Sequence, residues 1–305
     1  MHRKRVGIVA FSLMMLALIF ALSIQKSTPE QAPVPEEPVG VEEEEVVEAD
    51  VPQVIGYSVE GRAIPVYHYG SMGAQSAGTH TPRRFLFVGG VHGGYEWNSV
   101  VLAYEAMDYF EAHPEVIPEG TSVAVIPNLN PDAVYKTFQK EGRVTLADRA
   151  ALPADTDFAA ARFNANNVDL NRNFACKWQP ESSWRGKKVS AGTEAFSEPE
   201  AAALRNFVAE FKPHAAIFWH SQASAVYASE CEEGVLPKTL SLMNIYGNAA
   251  KYKTVDSFDA YPVTGDVEGW LASINIPAIT VELTTHEDVE WERNLSGIQA
   301  VLKQF

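Results

Sequence analysis

Four apolar runs recur along the chain: FLFVGGV at 85–91, SVAVIPN at 122–128, AAIFWH at 215–220 and PAITVEL at 277–283. None alternates between apolar and polar residues, so each reads as a strand buried on both faces, as in a parallel sheet. Helical patterns lie between and after them, at 97–112, 198–211, 236–251, 266–274 and 290–304. The entry Ser197-Glu198-Pro199 is a good helix start, because proline fits the first turn. The fold class expected is α/β, with a mostly parallel or mixed central β-sheet flanked by helices on both faces. Reactive groups in such sheets gather at the carboxyl ends of strands. There the sequence places His92 after the first run, Asn128–Pro131 after the second, His220 at the end of the third and Glu282 near the end of the fourth.

The amino-terminal part has a different character. Residues 2–5 are basic, and residues 6–24 are nineteen positions without a charge, roughly 28 Å if helical. Residues 1–26 read as a membrane anchor or as a signal peptide cleaved near Ala21-Leu22-Ser23. Either reading leaves the remainder outside the cytoplasm. Residues 27–52 hold nine acids and no base among many prolines, which predicts a disordered, self-repelling stalk. Of the net charge of −15, setting aside those nine acids and the four cations of residues 1–26 leaves −10 for residues 53–305. That surface argues against nucleic acid as a partner. Residues 53–305 show no internal repeat and no second linker, and read as one catalytic domain. The two cysteines, Cys176 and Cys231, permit a disulfide in an exported protein, separate buried thiols being the alternative.

A catalytic zinc site takes about three His or carboxylate ligands and keeps one position open. His92, Glu96 and His220 are candidates for it. The stretch NNVDLNRNF at 166–174, with Arg162 just upstream, is dense in polar groups in mid-domain. An arginine there either lines a pocket and binds a carboxylate or closes a structural salt bridge. No Gly-x-Ser-x-Gly occurs, which sets a serine hydrolase aside; the nearest stretch, Gly56 to Gly61, has one residue too many.

Together these residues resemble the zinc carboxypeptidases of the carboxypeptidase A type. The resemblance spans residues 54–305 and rests on GGVHGGYE, NANNVDLNRNF, HSQ at 220–222, YPVTGDVEGW at 261–270 and TVEL at 280–283, in family order. It implies that His92, Glu96 and His220 bind one Zn2+ per chain. By the same resemblance Arg162 polarises the scissile carbonyl, Asn171 and Arg172 hold the substrate's terminal carboxylate, Tyr261 caps the bound substrate and Glu282 is the general base. The resemblance also places Glu268, seven residues beyond Tyr261, at the floor of the pocket for the departing residue. An acid there suits an amino-bearing side chain, a solvated helix position being the alternative.

The sequence departs from the family at the first motif, where three residues rather than two separate His92 from Glu96. Gly93 and Gly94 open conformations that let a turn absorb the insertion. Glu105, the next acid downstream, lies too far along the helix to substitute. The activity implied is removal of a carboxyl-terminal residue from peptides outside the cytoplasm. Related bacterial enzymes that cut cell-wall stem peptides between γ-D-glutamate and a diamino acid are the alternative, and TGDVEGWLASINIPAITVEL looks somewhat like them. A deacylase of N-acyl amino acids fits less well, because Tyr261 and Arg162 together suit a peptide-length substrate. A binding module without chemistry would be expected to lack Glu282 or a ligand.

Overall fold

The computed structural model describes residues 52–70, 82–258 and 262–305. The expected anchor or signal, nearly all of the acidic stalk, and Tyr261 lie outside the described residues. Among the described residues no helix is long and apolar enough to cross a membrane.

Among the described residues twelve strands occur in chain order. They are β1 (Gln53–Tyr57), β2 (Ala63–Gly70), β3 (Arg83–Val88), β4 (Thr121–Ile126), β5 (Glu181–Trp184), β6 (Lys187–Ser190), β7 (Ala215–Ser221), β8 (Ala225–Ala228), β9 (Glu230–Cys231), β10 (Gly234–Val235), β11 (Lys253–Val255) and β12 (Ala278–Leu283). The α-helices are α1 (Trp97–Ala112), α2 (Pro131–Phe138), α3 (Leu146–Ala150), α4 (Pro199–Phe211), α5 (Pro237–Ala250), α6 (Val267–Ser273) and α7 (Trp291–Gln304). Eight strands form one sheet in the order β1-β2-β4-β3-β7-β12-β8-β11.

The four apolar runs supply its centre. β4, β3, β7 and β12 are neighbours and run parallel. β1, β2 and β8 pair antiparallel, which makes the sheet mixed. Successive residues face opposite layers: Phe85 and Phe87 join the core under α1, α5 and α7, while Leu86 and Val88 join the core under α4 and α6. Burial on both faces is why these strands lack polar alternation. The weaker strands were not foreseen. Four residues of β8 and three of β11 are too short to show a period, and β1 and β2 form an edge whose outer face is solvated.

Helix starts follow local chemistry. Pro131, Pro199 and Pro237 each stand in a first turn, where a missing N–H is harmless. Asp266 caps α6 by accepting from Gly269 N at 2.7 Å.

Candidate active site

The turn after β3 carries two of the candidate ligands. Residues Gly93–Glu96 form a single 3-10 turn lying against α2. Gly93 has φ +44°, and a Cβ there would come 2.4 Å from the Ala133 Cβ; one on Gly94 would come 2.1 Å from Thr137 Oγ1. Two glycines are therefore needed for close approach, and the tight turn takes up the extra residue of the motif. Glu96 swings back so that its Oε1 lies 2.8 Å from His92 Nδ1.

The third candidate arrives on the sheet. His220 is the sixth residue of β7, and its Nδ1 lies 2.9 Å from Glu96 Oε2 and 3.2 Å from His92 Nδ1. One ligand atom from each of His92, Glu96 and His220 falls within 4.8 Å of the others, and all three residues are buried. The outer nitrogens face carboxylates: His92 Nε2 is hydrogen-bonded to Asp169 Oδ1 at 3.2 Å, and His220 Nε2 lies at ion-pair distance, 3.4 Å, from Glu268 Oε1 without a hydrogen bond between them. A carboxylate behind each ring favours the proton on Nε2 and turns the Nδ1 lone pair inward. Two inward lone pairs and a carboxylate converging on one point need a positive charge between them, so the donor set fits a zinc ion with a position left open. Without it the electrostatics ask for a proton instead. Burial opposes charge on His220, yet Glu96 and Glu268 raise its pKa well above the ordinary value. Burial likewise favours neutral Glu96, and the two imidazoles overcome it and hold the carboxyl low.

Glu282 stands beside this cluster because β12 pairs in parallel with β7, with Glu282 level with His220. It is half-buried in the cavity wall, and its Oε2 has no hydrogen-bond partner among the described residues. Burial, then repulsion from Glu96, pushes its pKa up to about 8. A cation held by the triad would draw it back down. Arg162 is 4 % exposed and gives Nε and Nη2 to Asp169 Oδ2 at 3.0 and 2.9 Å, with Nη1 3.5 Å from Glu96. Asp169 is buried, and Arg162 and His92 outweigh that burial to keep it ionised.

Asn171 and Arg172 sit in a short 3-10 turn, Leu170–Arg172, whose entry Asp169 caps by accepting from Asn171 N at 3.1 Å. Asn171 Oδ1 accepts from Val267 N at 2.9 Å. Arg172 is buried, but no carboxylate lies within ion-pair distance of it among the described residues, and its Nε has no partner. The loop before α6 packs on this turn so closely that a Cβ on Gly265 would meet Arg172 O at 2.1 Å. Cys176 is joined to Cys231 by a disulfide, which ties the end of the segment to β9 and resolves the two alternatives open for these thiols.

His92, Glu96, His220, Glu282, Arg162, Asn171 and Arg172 line one cavity of about 930 Å3, together with Glu268, Asp266 and His286, while Asp169 is buried behind it. Glu268 is buried in its wall, where it backs His220 as well as facing the cavity. Burial, then Glu268, raises the Asp266 pKa to about 6. His286 Nδ1 lies 2.6 Å from Ser221 Oγ, and its ring lies 4.5 Å from that of Tyr95.

Some residues of the site were not singled out from sequence. Asp169 lay within the quoted NNVDLNRNF stretch, and its burial beside a histidine and an arginine could not be read from spacing. The wall made by Tyr95, Trp184 and Arg185 had a local signal, an Arg-Gly pair between two four-residue strands.

The zinc carboxypeptidase family model matches residues 48–299. The chain is 28% identical over 160 residues to murein peptide amidase A of Vibrio campbellii, covering 49% of this chain and 61% of that protein. It is 23% identical over 170 residues to γ-D-glutamyl-L-diamino acid endopeptidase 1 of Lysinibacillus sphaericus, covering 53% of this chain and 42% of that one. The chain thus spans less than two thirds of the length of either relative. Among solved structures, murein-tripeptide amidase MpaA from Escherichia coli O157 superposes with a TM-score of 0.54 at 20% identity, over 83% of this chain and 92% of that one. Bovine thrombin-activatable fibrinolysis inhibitor gives 0.61 at 17% identity, over 83% and 88%. At these identities the superpositions speak for the fold, and the family match over most of the chain speaks for kinship: the protein belongs to the zinc carboxypeptidase family of metallopeptidases.

Proposed function

We propose that this protein is a zinc-dependent exopeptidase that hydrolyses the bond before a residue carrying a free carboxylate. The observation that carries this reading is Arg172: a buried guanidinium without an anion is costly, and this one faces a cavity beside the candidate metal triad. A substrate carboxylate completes it. In this reading His92, Glu96 and His220 hold the metal, and a zinc ion bound there supplies a Lewis acid that makes water a nucleophile near neutral pH. Glu282 takes the proton from the attacking water on its free oxygen. As the carbonyl carbon gains the water oxygen and the C–N bond breaks, Glu282 hands that proton to the leaving amine. Arg162, fixed by Asp169, steadies the charge that develops on the carbonyl oxygen. Asn171 and Arg172 hold the departing residue, and Tyr261 is assigned to cap it.

The leading reading is a metallocarboxypeptidase acting on extracytoplasmic peptides. A second, a peptidase for the γ-D-glutamyl–diamino acid bond of wall stem peptides, is favoured by Asp266 and Glu268, which line the same cavity as Arg172 and would meet the amino group of a diamino residue. The names of the two curated relatives agree with it. The Cys176–Cys231 disulfide supports an oxidising compartment, in keeping with the basic, apolar leader as an anchor or an export signal.

The test is to incubate the full chain with zinc and peptides ending in Lys, Arg, Phe or Leu, beside an L-Ala-γ-D-Glu–diamino acid tripeptide, and to identify products by mass. Loss of the last residue from one of these classes is expected. Equal cleavage of carboxyl-amidated versions would contradict the role of Arg172.

A further inference from the structure

We propose that Arg185, at the tip of the β5–β6 hairpin, forms an anion-reading subsite for the residue on the acyl side of the scissile bond. This inference deepens the reading above and rests on it for the direction in which substrate lies.

The hairpin is built to hold its tip still. Trp184 pairs with Lys187, so the loop is the two residues Arg185-Gly186, with φ +50° and +73°. Positive φ at both positions is the type I′ turn that suits the twist of a two-residue hairpin. Asparagine, aspartate or glycine fits the first position with less strain, so local preference alone does not select arginine there. The base is anchored as well. Asp169 N donates to Ser190 O at 3.0 Å, and Ser182 Oγ lies 3.1 Å from Thr264 Oγ1. The hairpin therefore continues the segment that carries Arg162 and Asp169.

At the tip, two guanidinium groups and two rings form one assembly. Tyr95 and Trp184 meet edge to face at 5.3 Å. The Arg162 guanidinium lies 4.8 Å from the Trp184 ring centre and 5.8 Å from that of Tyr95. Arg185 lies 5.4 and 6.0 Å from the same two rings. Such contacts orient a cation without using its N–H donors. The two arginines differ in one respect. Arg162 spends its fork on Asp169, whereas Arg185 has no hydrogen bond and no carboxylate within ion-pair distance among the described residues. Arg185 is thus a positioned guanidinium with all its donors free, in the lining of the cavity that holds the candidate metal triad.

The cavity gives Arg172 and Arg185 a side each. Arg172 stands with Asn171, Asp266 and Glu268 where the departing residue is held. Arg185 stands with Tyr95 and Trp184 on the side of Arg162. A peptide bond between γ-glutamate and the next residue leaves the glutamyl α-carboxylate free on the acyl side. An ordinary α-linked residue presents an anion there only when it is Asp or Glu. A guanidinium with free donors at that place discriminates between the two by charge-assisted hydrogen bonding.

The test compares L-Ala-γ-D-Glu–diamino acid with its α-carboxamide counterpart, which differs only in the glutamyl carboxylate. With zinc-loaded full chain, kcat/KM should favour the carboxylate by about 10-fold, a modest ratio because the tip is exposed to solvent. Arg185→Ala should level the pair, chiefly by raising KM for the carboxylate substrate, and Arg185→Lys should keep part of the preference. Equal cleavage of the pair by the parent protein overturns the proposal, as does an Arg185→Ala loss shared equally by both substrates, which would mean a structural role. Calorimetric binding of the same two ligands to zinc-loaded Glu282→Gln reads the subsite without turnover. If only α-linked peptides are cut, the stem-peptide reading fails, and the Arg185 proposal is then decided by peptides with Glu or Gln before the last residue. If nothing is cut, the reaction reading fails while the binding ratio still reports on Arg185.

Discussion

Two sides of the cavity place their functional groups by different physics. On one side His220 and Glu282 ride on adjacent parallel strands, and the pairing register that buries Trp219 and Val281 on one face sets both groups level. On the other, Glu96, Arg162 and Arg172 sit in 3-10 turns, with His92 at the entry to the first, and what holds them is contact: Gly93 and Gly94 on α2, Asp169 on three partners, Gly265 on Arg172. A strand-borne group can move only if the sheet slips, and a one-residue slip reverses every side chain. A turn-borne group depends on single side chains. The strand side should therefore tolerate substitution with geometry intact and chemistry lost, and the turn side should lose geometry and metal together.

The sharpest break is Glu282→Gln. It keeps shape and the register of β12 but cannot take a proton, so turnover should fall by about 100- to 10,000-fold. Zinc content, measured by atomic emission, should stay near one per chain. Substantial turnover would remove Glu282 as the base, and lost zinc would place it on the turn side of the comparison.

On the turn side, Asp169→Asn removes the negative charge behind His92 and the charge partner of Arg162 in one step. Zinc affinity, read by chelator competition, should weaken by about 10- to 100-fold. The protein should also be less stable, because Arg162 is left buried with Glu96 as its nearest acid. Unchanged zinc affinity would show that the sheet side alone fixes the metal. A weaker probe of the same side is Gly94→Ala. Its Cβ must displace Thr137 Oγ1, so the turn shifts and Glu96 with it. Zinc affinity should drop by about 10-fold, on the scale seen when a ligand loses its support. The double change with Thr137→Ser, which keeps the hydroxyl, should not rescue it; Thr137→Gly should rescue it in part.

How much of this was legible follows the same division. The central strands could be read because burial on both faces writes a continuous apolar run, and their carboxyl ends marked His92, His220 and Glu282. Asn171 and Arg172 were legible only through resemblance, since no period or spacing shows that a polar stretch folds into a cavity wall. Arg162 stood out by residue type with pocket and salt bridge left open; its pair with Asp169 in the cavity wall makes it both. Asp169 escaped because its role is set by three partners distant in sequence or hidden by a turn. The extra residue at His92–Glu96 raised a question that sequence could not answer. Its answer lies in the α2 side chains Ala133 and Thr137, which leave no room for a Cβ. Glu268 shows the limit most plainly: the resemblance pointed it to substrate, and its carboxylate also backs His220, a candidate metal ligand.

The smallest expected effect concerns protons rather than positions. In metal-free protein, burial and Glu96 raise the Glu282 pKa to about 8, and Glu96 and Glu268 raise that of His220 against the opposing effect of burial. Both folded-state values exceed those of the unfolded chain. The stability they contribute is therefore full below the unfolded values and is lost as pH rises through the folded ones. Glu96 is shifted the other way, but its depressed pKa puts its change at acidic pH, outside this window. Metal-stripped protein should thus melt a few degrees lower at pH 9 than at pH 6. Zinc competes with those protons, so its stabilising effect should grow over the same range. Scanning fluorimetry of stripped and zinc-loaded samples measures both slopes. Stripped Glu282→Gln should lose the part of the slope due to Glu282 and keep the part due to His220. A stripped protein whose melting point is flat from pH 6 to 9 would mean that the strand-borne pair is not holding protons in place of the metal.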